Sequence, residues 1–258
     1  MVNDVLSHFN LFLLMAARTS GFVLAAPIFS SVYWPNAAKV ALAMALAAFA
    51  VPSMHAPVPD LVAQPGAFVV DFALEAVIGV VLGFVATWVF NTMNIAGQLV
   101  DLQIGMAVAE LAMPGFSGAA GVFSNVYNVW FSILFIGMGG LEGLSVAVLE
   151  SFRLIPIADW HLPSNWLVIC AQTMDTVMLM AVDVALPVFA SLFLCDVTFA
   201  LLARAVPQMN AFVVELPAKL FVGLASFAVA MPVTVGLFRQ LMNLVFLNMQ
   251  TVMRLVGG

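Results

Sequence analysis

The sequence predicts an all-α, membrane-associated protein, and three observations carry that prediction. Of its 258 residues, 64% are hydrophobic and 8% charged, against roughly 45–50% and about 25% in an ordinary soluble domain. Several apolar runs reach the roughly 17 to 25 residues that a helix needs to cross the hydrocarbon core of a bilayer. Proline-bearing segments separate the runs; proline lacks an amide hydrogen and turns its predecessor away from helical angles, so these segments read as connectors. A water-soluble globule is excluded, and one compact helical body, residues 1–258, is expected.

Taken in order, the first run is Val5 to Ala26. The residues before it include Asp4 and no Lys or Arg, whereas a cleaved signal peptide starts with positive charge, so a retained first helix is expected. Ala37 to Val51 is short for a span and rich in alanine rather than leucine, a composition suited to tight packing against a protein neighbour. Ala67 to Phe90 and Val122 to Leu149 are long enough to span. Trp166 to Val206 is too long for one helix and carries Asp175, Asp183, Pro187 and Asp196 at intervals, which predicts a broken pair. Phe212 to Val235 and Leu237 to Val256 complete the set. The connectors are "APIFSSVYWP", "VPSMHAPVPDLVAQPG", "MPGFSGAAG", "IPIADWHLPSN" and "VPQMN".

The charges narrow the function. The net charge of −6 is spread over isolated acids, with no basic patch of the kind that binds nucleic acid. The seven basic residues, Arg18, Lys39, Arg153, Arg204, Lys219, Arg239 and Arg254, are scattered singly, so no loop carries the Lys/Arg excess that fixes orientation. Charges placed in mid-run fit burial inside a larger protein assembly at least as well as contact with lipid.

Catalysis finds little footing. His8, His55 and His161 are far apart and lack clustered Cys, Asp or Glu at ligand spacing. Cys170 and Cys195 stand in apolar runs without Cys-x-x-Cys spacing and are expected to be free thiols. Neither a nucleophile elbow, a P-loop nor a dinucleotide fingerprint is present. No catalytic residue, cofactor or metal is expected.

Asp71, Glu75, Asp101, Asp175, Asp183 and Asp196 lie in or beside apolar segments, where a carboxylate costs roughly 2.5–3.5 kcal/mol on insertion scales and must face protein or water. They are candidates for an ion pathway, with Asp71 and Glu75 four apart on one helical face. Pairing with partner groups or helix capping is the favoured alternative, because no acid is matched by a basic residue in a repeated half, as in an inverted-repeat carrier.

Two stretches combine polar residues with chain-bending ones. "AGQLVDLQIGMAVAELAMPGFSGAAGVF", Ala96 to Phe123, begins with Gly97, Gln98, Gln103 and Gly105 and opens into a segment with Pro114, Gly115, Gly118 and Gly121. Irregular backbone is tolerated at membrane depth only when buried in protein or lining a watery cavity, where Met113, Phe116 and Phe123 would form a soft apolar obstruction. The residues alone fit a surface loop between two helices equally well. In "RAVPQMNAFVVELP", Pro207 and Pro217 are expected to break the helix, Gln208 and Asn210 to bond freed backbone groups, and Arg204, Glu215 and Lys219 to find partners across the bend.

Three motifs, "RTSGFVLAAPIFSS", "GQLVDLQIGM" and "LLARAVPQMNAFVVELPAKLFVGL", resemble in order and spacing those of the FliR family of flagellar export-gate proteins, and more distantly the homologous component of virulence type III secretion systems. The resemblance covers essentially the whole chain. It implies a core subunit of a type III export gate in the bacterial cytoplasmic membrane, at the flagellar basal body. FliP and FliQ would be its core partners, FlhB and FlhA further ones, and unfolded flagellar proteins the cargo. The implied fold is a set of helical hairpins, with a FliP-like part over about residues 1–200 fused to a FliQ-like part over about 201–258. These would stack into a conical, right-handed assembly raised largely above the membrane plane.

The resemblance also gives the glycine-rich segment a role, as a plug over Glu110 to Val122 with Met113, Pro114 and Phe116 at its centre, flanked by Gly115, Gly118 and Gly121. Family members often carry Asp before that proline; here Met113 stands there, so an apolar seal is expected. Gly97, Gln98, Gln103, Gly105, Arg204, Pro207, Gln208, Asn210 and Pro217 are the expected assembly motif. Virulence secretion, or a small-molecule or ion transporter, are the alternative functions.

Overall fold

A computed structural model describes residues 2–31, 34–53, 61, 64–105, 121–157, 166–207 and 211–257. Among these, α-helix dominates and no strand occurs. The helices are α1 (Val2–Ala25), α2 (Asn36–Ala50), α3 (Pro65–Ile104), α4 (Val122–Gly137), α5 (Gly140–Leu154), α6 (Trp166–Ala205) and α7 (Ala211–Val256). Four of them, α1, α3, α6 and α7, are long and apolar enough to cross a membrane, and α4 with α5 form a bent pair that passes the same test together.

α3 continues to Ile104, past the expected end of its run at Phe90, and three further boundaries depart from the expectation. Trp166–Ala205 is one helix of 40 residues rather than a broken pair, with Pro187 inside it. α7 runs 46 residues through both Pro217 and Pro232, so Pro217 does not end a helix. A proline interrupts one intrahelical hydrogen bond and commonly bends the axis; in an apolar helix the freed groups can be satisfied locally and the helix resumes. Pro207, by contrast, stands in the turn between α6 and α7. The third departure lies within Val122 to Leu149, where Gly139 takes φ +78 and the run breaks into α4 and α5. Only glycine adopts that backbone region at little cost.

The chain divides into two compact units. One comprises residues 1–90, 139–173 and 242–258. Its apolar core joins Leu11, Leu14, Met15 and Ala16 of α1 to Ala47 and Ala50 of α2, Phe68 of α3 and Phe152 of α5. Helices in a membrane gain little from apolar burial alone, since lipid is as apolar as leucine; close backbone approach matters more. α1 and α3 meet in that way. A Cβ on Gly21 would collide with the Ala76 carbonyl, one on Gly79 with the Arg18 carbonyl, and one on Gly83 with Ala25 and Ala26. Gly79 and Gly83 are four apart, the small-xxx-small spacing of packed membrane helices.

At this seam Arg18, fully buried, donates from Nε to Glu75 Oε2 at 2.6 Å. Its Nη1 donates to the Ser151 and Ile155 carbonyls, each at 3.0 Å, and the guanidinium lies 4.7 Å from the centre of the Phe152 ring. The arginine thus satisfies carbonyls at the C-terminal end of α5, where the helix dipole favours a cation.

The second unit comprises residues 91–138 and 174–241. Its core is a column on α4, with Phe123, Tyr127, Phe131 and Phe135 at four-residue spacing and all buried. The Phe123 ring sits over Gly223, where a Cβ would come within 2.9 Å of it. Tyr127 meets Phe227 edge to face at 4.9 Å, and Phe131 meets Phe238 at 5.0 Å. α4 is therefore locked against α7 by aromatic contacts.

Candidate functional site

The second unit holds a polar junction at the place where α3 ends and α4 begins, the two roots of residues 106–120. The α3 terminus carries "GQLVDLQIG". Gly97 permits contact so close that a Cβ there would collide with the Ser124 backbone. One turn later the buried Asp101 carboxylate accepts three hydrogen bonds. Oδ1 takes the Phe123 N–H at 2.9 Å, and Oδ2 takes the Ser124 N–H at 3.0 Å and the Ser124 hydroxyl at 2.8 Å.

Those amides belong to the first turn of α4, which has no intrahelical partners to offer them. Gly121, before α4, provides no side-chain cap. Asp101 thus acts as the cap from another helix, and its negative charge also suits the positive end of the α4 dipole.

The roots themselves are glycines in the left-handed region, Gly105 at φ +85 and Gly121 at φ +83. Among the described residues, a Cβ on Gly105 would meet nothing within 4 Å, and one on Gly121 only the Ser124 Cβ at 3.8 Å. These two turns redirect the chain out of α3 and into α4.

A second cluster borders the first. Gln103 Nε2 donates to Asp196 Oδ2 of α6 at 2.7 Å. Lys219 of α7 pairs with the other oxygen of Asp196, and with Glu215 one turn earlier at 2.7 Å. It also reaches the Gln103 carbonyl at 3.4 Å. Three helices are thereby tied at one point by one cation and two carboxylates, and two of the family-like motifs, far apart in sequence, meet there.

Of the residues expected to matter, Gly97, Gln103, Gly105 and Gly121 fall at this junction. Gln98 is exposed and donates to Asn94 Oδ1 at 3.2 Å within its own helix, away from the cluster. Arg204 and Pro207 are exposed at the turn between α6 and α7, while Pro217 lies inside α7. Glu110, Met113, Pro114, Gly115, Phe116 and Gly118 lie outside the described residues, as do Gln208 and Asn210. The pairing expected across the bend is found for Lys219, with Asp196.

The acids separate by role. Glu75 is taken by Arg18, Asp101 caps α4 and Asp196 binds Lys219 and Gln103. Asp175 and Asp183 are different. The buried positions of α6 include Val177, Ala181, Val184, Val188 and Leu192. At about 100° per residue these form one stripe, and both acids fall on the opposite, exposed side among Leu179, Val182, Leu186 and Phe193. Among the described residues no group of three or more His, Cys, Asp or Glu is placed to hold a metal ion. Cys170 and Cys195 are free thiols.

Comparison with known proteins decides the family. The profile described as Bacterial export proteins, family 1, matches residues 9–245. The chain belongs to this export family. It is 28% identical to the flagellar biosynthetic protein FliR of Bacillus subtilis (strain 168) over 99% of both chains. It is 27% identical to the FliR of Escherichia coli (strain K12), over 93% of this chain and 92% of that one. It is also 29% identical to the Yop proteins translocation protein T of Yersinia pestis, over 56% of each. As a family 1 export protein with four helices long enough to span a bilayer, it is a membrane protein of the type III export class.

Proposed function

We propose that this chain is a core subunit of the flagellar type III export gate. It completes the wall of the channel for unfolded flagellar proteins, and Glu110 to Val122 act as the plug that closes the channel at rest. FliP and FliQ are its core partners, with FlhB and FlhA adjoining them in the bacterial inner membrane. Full-length similarity to two flagellar relatives favours flagellar over virulence cargo.

The observation that carries this reading is the outward surface of the long helices. α3 and α6 have 40 residues each and α7 has 46, which at about 1.5 Å per residue makes each of them at least twice as long as the roughly 30 Å hydrocarbon core. Yet only 22–33% of their most apolar stretches is buried in the chain itself. Water is a poor neighbour for Leu179, Val182, Leu186 and Phe193, and lipid is a poor neighbour for Asp175 and Asp183 on the same side. A protein neighbour with apolar surface and hydrogen-bond donors suits both.

The plug reading is tested by deleting Gly115 to Gly121 in the assembled complex and measuring ion leak and secretion together. Raised leak with export retained in part supports it. Lost transport with no leak overturns it and favours a carrier.

A further inference from the structure

The second unit carries an open apolar groove of about 550 Å³ between α6 and α7. Pro187 lines it from α6, and Phe221, Ala225, Val229 and Val233 line it from α7. Phe221 is 76% exposed and Val229 79%, so no described residue covers this wall. A proline inside a helix has no N–H to give the carbonyl four residues back. At Pro187 that carbonyl belongs to Asp183, and at Pro232, next to Val233 of the groove wall, it belongs to Ala228. Asp183 is exposed one turn before Pro187. It therefore offers two acceptors at one level, a carboxylate and a main-chain carbonyl without its helical donor.

Donors are scarce at the same place. This unit contains three cations, Arg204, Lys219 and Arg239. Lys219 is held by Asp196 and Glu215. Arg204 stands about 30 Å further along α6, at about 1.5 Å per residue. Among the described residues Asp183 has no ion pair, with Arg239 or any other cation. The hydroxyl of Ser226 in the groove donates to the Gly223 carbonyl at 3.0 Å. Acyl chains would bring no donor, whereas carboxylates within apolar helices are stable when paired. A helix with an apolar face and one Lys or Arg fills the groove and supplies the missing charge together.

We infer that this groove docks an apolar helix of a neighbouring subunit, with one basic side chain of that helix bonding the Asp183 carboxylate and the carbonyl that Pro187 frees. The inference rests on the assembly reading above, and adds which face is covered and by what chemistry.

Photo-crosslinking in native membranes tests the occupant, with the photoreactive p-benzoylphenylalanine in place of Phe221 in the full chain. An aromatic ring already stands there, so the groove keeps its shape. Irradiation should join it to a membrane segment of another subunit, and mass spectrometry should find a Lys or Arg within about two helical turns of the joined residue. Adducts only to lipid, to secreted protein, to a second copy or to this chain's own residues overturn the inference. So does the absence of any adduct, or a partner segment with no basic residue.

Charge exchange tests the pairing. Asp183→Lys should lower recovery of the complex several-fold, and changing the partner's basic residue to aspartate should restore most of it. Normal recovery with Asp183→Lys, or a loss that the exchange leaves in place, overturns the pairing. Should Asp183→Lys fail to insert, alanine at both positions decides: the double variant should lose no more than either single one, and losses that add overturn the pairing. If the native chain is recovered without any partner subunit, the assembly reading itself is at fault. If partners are recovered and position 221 joins only lipid, only the docking is.

Discussion

Arg18 and Glu75 form a fully buried ion pair, Nε to Oε2 at 2.6 Å, between helices α1 and α3. Neither charge has water to fall back on. The pair is held where it is by the small-residue seam, since the Arg18 carbonyl lies against Gly79. The two helices must be in close contact before the side chains can meet.

Removing one partner should therefore be worse than removing both. Arg18→Met leaves the buried Glu75 without its arginine, and losses of about 3–5 kcal/mol are typical of such broken pairs. The double variant Arg18→Met with Glu75→Leu should recover a large part of that loss, although the Ser151 and Ile155 carbonyls still lose their donor. Melting temperatures of the detergent-purified complex measure both. A single variant that melts like the native protein would show that the pair contributes nothing to holding α1 on α3.

The seam makes its own prediction. Gly79→Leu places a side chain where the Arg18 backbone now is, so α1 and α3 must separate and the ion pair must stretch. Gly66, around which no described residue lies within 4 Å, should accept the same change in the same helix. Protease accessibility and expression level should collapse for Gly79→Leu and stay native for Gly66→Leu. Equal behaviour of the two would contradict the close contact.

Much of this was legible from composition and spacing, and the parts that were not share a cause. The all-α class, the apolar runs and the connectors follow from hydropathy and proline alone. Helix lengths do not, because the penalty for an internal proline depends on whether neighbouring groups satisfy the freed backbone. Pro187, Pro217 and Pro232 sit inside helices, while Pro207 stands in a turn. The partners of Arg18 and Asp101 were equally hidden, at separations of 57 and 22 residues. One sequence signal was available, because an arginine inside an apolar helix needs a polar or charged partner away from lipid. The four glycines among residues 137–143 likewise marked the bend between α4 and α5.

The turn between α6 and α7 makes a prediction for assembly. Arg204 is exposed there beside Pro207, in the most specific of the family-like motifs, and Asn210 follows it. If partner subunits cover this turn, Arg204→Leu and Asn210→Leu should leave membrane insertion intact and lower the recovery of FliP and FliQ by affinity purification. Normal complex from both variants counts against a covered turn.

Asp183 separates lipid from protein as the neighbour of α6, because the two environments give opposite signs. Facing acyl chains, its carboxylate would cost roughly 2.5–3.5 kcal/mol, and Asp183→Leu would stabilise the protein and raise its yield in membranes. Facing a partner helix that supplies a cation or N–H donors, the same change would remove a carboxylate that satisfies them. Insertion would then be unaffected, the complex would be recovered several-fold less well, and Asp183→Asn would restore part of it through its carbonyl. Leu186→Ala on the same face controls for lost packing area and should cost assembly less than Asp183→Leu. Blue-native electrophoresis of solubilised membranes reads insertion and assembly in one experiment. A higher yield of intact complex from Asp183→Leu would place lipid, not protein, against this face of α6.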